Sequence, residues 1–168
     1  MSIESIVNQS LDLIGYKRHI GNIWDGSPAA RVALNAFAQT RDEVLSAAPW
    51  DFARVILLLE ADPREAPMGF LFSWTRPASA ITVLDVYTSV PDLLDPQPSL
   101  WIEATMPTRI IFTRYPAAAA TITNRITDVT LWTPEFTLAV IRGLAEKLQH
   151  PLMAVPKDQQ DESRGRSK

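Results

Sequence analysis

The residues of this chain that could do chemistry are few and scattered. His19 and His150 are its two histidines, and neither has a second histidine at helical spacing. A histidine metal site or a Ser-His-Asp triad is therefore not expected, and solvated or capping roles are. Asp42 and Glu43 are adjacent on an expected helix and point to different azimuths, while Asp92 and Asp95 sit in a proline-rich loop. Neither pair has the spacing of an acid/base couple, although the two carboxylates of a glycosidase can come from distant parts of a chain. Six glycines form no phosphate-cradling motif, and the absence of cysteine removes thiolate ligands, cysteine nucleophiles and disulfides together. No catalytic, cofactor-binding or metal-binding residue is assigned, and the expectation is a protein that is not an enzyme.

What remains is contact chemistry. Trp24, Trp50, Trp74, Trp101 and Trp132 are large aromatics of the kind that anchor cores and interfaces. Trp50 and Trp132 are expected in the core. Phe70, Phe72 and Trp74 form an apolar cluster, with Leu71 between them, on an expected hairpin or loop; as a group they favour a subunit contact, whereas any one of them fits simple alternation in a strand. Arg164, Arg166 and Lys168 could touch DNA or an acidic protein face. Interleaved with Asp161 and Glu162, they read first as a solvated tail.

The elements that must position these residues follow from composition and periodicity. With 168 residues, 46% of them hydrophobic, the chain can bury one proper core, so a single domain over 1–155 is expected, followed by a flexible charged tail over 156–168. Sixteen basic against nineteen acidic residues leave a net charge of −3, which supplies no global field for attracting nucleic acid. The start lacks a basic region followed by a hydrophobic run, and no apolar stretch approaches the roughly 20 residues a membrane helix needs, so a soluble protein without a signal peptide or membrane partner is expected.

Ile3, Ile6, Val7, Ser10, Leu13 and Ile14 recur at helical steps and predict a helix near 2–14, stopped by Gly15. Ser27-Pro28 offers an N-cap and a first-turn proline for a second helix near 28–48, with Ala30, Leu34, Phe37, Val44 and Leu45 able to share a face. Thr133-Pro134-Glu135 repeats that signal for a third helix near 134–149, whose buried row is Phe136, Val140, Leu144 and Leu148 and which Pro151 closes. Between the helices, from about 54 to 126, short β-branched and aromatic runs at Val55 to Leu59, Ile81 to Tyr87, Leu100 to Ile102, Arg109 to Phe112 and Thr121 to Ile126 are separated by prolines and polar turns. The expected fold is α+β: a platform of about three helices with an inserted small, mostly antiparallel β-sheet.

Three stretches carry a family resemblance. Asn8, Leu11, Ile14 and Gly15 follow the form N-x-x-L-x-x-I-G; Pro49-Trp50-Asp51-Phe52-Ala53 follows the second helix with a W-x-F turn; and Asp128, Trp132, Pro134 and Phe136, then Leu144-Ala145-Glu146-Lys147-Leu148 and Pro151-Leu152, follow in order. In their sequence and spacing these resemble the tail tubular protein A family, the head-to-tail adaptors of short-tailed bacteriophages. The chain departs from that pattern in having Phe70-Leu71-Phe72-Ser73-Trp74 where relatives are tyrosine-rich, and in lacking the long further helix that follows the final P-L element in many of them.

The resemblance implies a virion protein assembled in the host cytoplasm. It would form a ring of about twelve identical subunits at the head–tail interface. Its partners would be further copies of itself, the phage portal protein and a distal tail protein such as a nozzle or tail tube. DNA would pass through the channel without sequence-specific binding and without a membrane contact, in keeping with the modest negative charge. In this reading Trp50, Phe52, Trp132, Pro134 and Phe136 are structural. The alternatives are another neck or tail-completion protein, a virion-associated cell-wall hydrolase with a carboxylate pair in a cleft, and a small DNA-binding accessory protein with salt-sensitive affinity.

Overall fold

The computed structural model describes residues 1–88, 101–104, 109–114 and 116–153. Asp92, Asp95, Arg164, Arg166, Lys168 and the expected charged tail lie outside the described residues. The fold is α+β, and the chain divides into two compact units, one of residues 1–44 with 127–168 and one of residues 45–126.

The first unit is helical. Helix α1 spans Ile3–Leu13, α2 Pro28–Ala47, with its last residues from Leu45 counted in the second unit, and α3 Pro134–Met153. Each start is made by a hydroxyl that accepts a backbone N–H left without an intrahelical partner: Ser2 Oγ from Ser5, Ser27 Oγ from Ala30 and Thr133 Oγ1 from Phe136. The end of α1 is a Schellman motif. Gly15 N–H donates to Asp12 O and Tyr16 N–H to Leu11 O, with Gly15 at φ +73°, a conformation that suits glycine because it has no Cβ to clash.

Helix α1 packs on α3, and the expected row Phe136, Val140, Leu144 and Leu148 is fully buried. Two expectations need correction here. Leu13 is exposed and Leu11 is buried: Leu13 shares the azimuth of Ile6 but sits in the final residue of the helix, whereas Leu11 lies one turn beyond Val7 on the packed face. Pro151 does not close α3, which runs to Met153. In the last turn a proline forfeits a single backbone bond, and continuing the helix keeps Leu152 buried one turn beyond Leu148.

The second unit is β, and the single expected sheet is two. The strands are β1 Arg54–Leu58, β2 Glu60–Ala61, β3 Phe72–Thr75, β4 Ala80–Thr88, β5 Trp101–Ala104, β6 Ile110–Thr113 and β7 Ala117–Asn124. They pair antiparallel in the orders β1-β7-β4 and β2-β3-β6-β5. Leu59 falls between β1 and β2, so one run of chain serves the edge of both sheets. A common cluster of Leu59, Val83, Val86, Ile111, Ala120 and Ile122, flanked by Val55, Leu57, Trp74 and Trp101, draws on both sheets. Burying such side chains supplies roughly 25 cal/mol for each Å² of apolar surface removed from water.

Candidate interaction surface

Most of the residues behind the family resemblance hold the scaffold. In α1, the Asn8 side chain donates to Ile20 O at 3.0 Å and accepts from Ile20 N–H at 2.8 Å. This pair of bonds folds the following loop back onto the helix and helps bury Ile20 and Ile23. Leu11 is in the core and its carbonyl accepts the second bond of the Schellman motif, so Asn8, Leu11 and Gly15 together describe a helix that ends and turns back.

The stretch at 128–136 works similarly. Asp128 accepts from Thr130 N–H and Oγ1–H and opens a single 3-10 turn over Val129–Leu131. These bonds hold its carboxyl below the usual carboxylate range. The turn delivers Trp132 into the core, where its ring stacks on Phe37 at 5.7 Å and meets the edge of Phe136 at 4.8 Å. Pro134 is exposed at the first helical position of α3.

Trp50 is half-buried rather than core, and so is Phe52; their rings tilt against each other at 6.4 Å across the 3-10 turn Asp51–Ala53, and it is the small Ala53 that is fully buried. The turn is too short to carry two large rings inward together.

The contact cluster expected at Phe70, Phe72 and Trp74 is redistributed. Phe72 and Trp74 lie on β3 with rings 6.4 Å apart, Trp74 packs on the sheet core, and its Nε1–H donates to Thr113 Oγ1 at 2.9 Å. All three side chains are half-buried. The exposed apolar groups are their neighbours: Met68 is fully exposed and Leu71 is 73% exposed.

Those two ride on an ordered loop between β2 and β3. At its base Asp62 receives Arg64 through Nε at 2.7 Å, Nη2 at 2.6 Å and the backbone N–H at 3.0 Å. The Arg64 hydrogen bonds hold the Asp62 carboxyl down at about 2 and raise Arg64 in turn. At the tip Gly69 has φ +95°, Phe70 N–H returns to Pro67 O, and Leu71 N–H donates to Thr113 O. Phe70, Phe72, Trp74 and Arg64 line a shallow depression under this loop.

A second exposed apolar pair lies on β1, where Ile56 is 67% and Leu58 79% exposed while Val55 and Leu57 turn inward. Of these four residues the sequence marked only Leu71, as part of the Phe70 to Trp74 cluster; on β1 a period of two shows that a strand has two faces without showing which is covered.

Charge in the second unit is used structurally. Arg76 is buried, donates from Nη1 to Ala80 O at 2.6 Å and from Nη2 to Ile81 O at 2.8 Å, and sets Nε 2.7 Å from Glu103 Oε1. Burial pulls its pKa down, and the neighbouring Glu103 carboxylate opposes that shift. Arg76 thereby ties the turn after β3 to β5, a role no local sequence signal marks.

The histidines are exposed; His19 meets Asp12 at 2.7 Å and His150 lies in the last turn of α3, where a positive charge suits the helix dipole. Asp42 pairs with Arg41 and Glu43 with Lys147 and Gln39. Among the described residues no group of three or more His, Asp or Glu is arranged to hold a metal ion, and no helix is long and apolar enough to cross a membrane.

No protein-family model matches the chain, and no curated protein matches it significantly. The functional reading therefore rests on the residues and surfaces themselves.

Proposed function

We propose that this chain is a structural bacteriophage protein, a head-to-tail adaptor subunit that forms a ring between portal and tail around the DNA exit channel and acts by contact rather than catalysis. The observation that carries the proposal is the β2–β3 loop. Its Asp62–Arg64 clasp and Gly69 turn hold Met68 and Leu71 out in water at a defined position, a pair of apolar side chains that a subunit contact would cover. The resemblance supplies the rest of the reading: about twelve copies, a portal above, a nozzle or tail-tube protein below, and DNA passing without sequence-specific contacts. Its motif residues belong to a scaffold, with Asn8, Leu11, Gly15, Trp132 and Phe136 each fixing a turn or a core contact.

The test is the mass of the purified protein alone and after mixing with the portal protein from the same genome, by light scattering coupled to size exclusion. The expected result is a portal peak heavier by many adaptor masses, with the increase lost in a Met68→Ser, Leu71→Ser double variant that remains folded. A wild-type protein that stays free beside a correctly assembled portal overturns the proposal.

A further inference from the structure

We draw no further inference here: the strongest candidate, the groove of the helical unit lined by Arg18, His19, Asp25, Val32, Pro151 and Leu152, carries charges of both signs beside its apolar residues, and nothing in the structure shows what covers it.

Discussion

The helical and β units close their cores by different means. In the helical unit Phe37, Trp132 and Phe136 close on one another inside, and caps at Ser2, Ser27 and Thr133 finish the helices with local bonds. In the β unit side chains of both sheets, among them Val86, Ile111 and Ile122, meet in one cluster, while Ile56 and Leu58 on β1 and Met68 and Leu71 on the β2–β3 loop face water. Exposed apolar groups occur in both units, among them Leu13, Trp24 and Leu131 in the helical one. The contrast is between a ring cluster that holds the first unit and a mostly aliphatic cluster that holds the second.

The largest expected effect tests the buried side of that comparison. Phe136→Ala removes a fully buried ring that meets Trp132 edge-on and should cost about 3–5 kcal/mol in denaturant unfolding. Leu71→Ala, on the exposed side, should stay within about 0.5 kcal/mol. Similar losses for the two would break the comparison.

Gly143→Ala is a smaller and sharper test. A Cβ at this position of α3 would stand 3.0 Å from Thr40 Cγ2, and Thr40 is held in its rotamer by the bond from Oγ1 to Ala36 O at 2.8 Å. The helix-propensity gain of up to about 1 kcal/mol should be outweighed by overpacking of about 1–3 kcal/mol. Removing the obstructing methyl with Thr40→Ser in the same chain should turn the net loss into a gain in melting temperature.

The smallest effect is at the loop clasp. The Asp62 carboxyl is depressed from its ordinary 3.8 to about 2 when folded, so its contribution is complete above the unfolded value and is lost as pH falls through about 2. Protection of the 62–71 amides, taken as exchange relative to the intrinsic rate at each pH, should therefore be high at neutral pH and fall below about pH 3, with Asp62→Asn lowering it at neutral pH. Exchange unchanged by the substitution would remove the clasp as the reason the loop is ordered.

How much of this was legible in the sequence depended on distance along the chain. Gly15, Ser27-Pro28 and Thr133-Pro134 marked helix ends because a cap is built from residues three or four apart, and the buried row from Phe136 to Leu148 followed from a period of 3.6. The errors fell where a distant neighbour decides. Leu13 has the right azimuth and no cover, Pro151 was outweighed by the burial of Leu152, and Trp50 sits on a turn that leaves it half-exposed. The run Ala117 to Ala120 was passed over as a strand because alanine favours neither state strongly, yet it pairs with both β1 and β4.

By itself, then, the sequence determined the α+β class, the three helices with their caps, and the buried row from Phe136 to Leu148. Only the tertiary structure decided that there are two sheets rather than one, that Arg76 is buried against Glu103, and that Met68 and Leu71, not Phe72 and Trp74, face water. The physical reason is the range of the interactions. Caps and helical periodicity act within a turn of chain, whereas strand order and the covering of a sheet face are set by partners such as Leu58 and Ala119, some sixty residues apart.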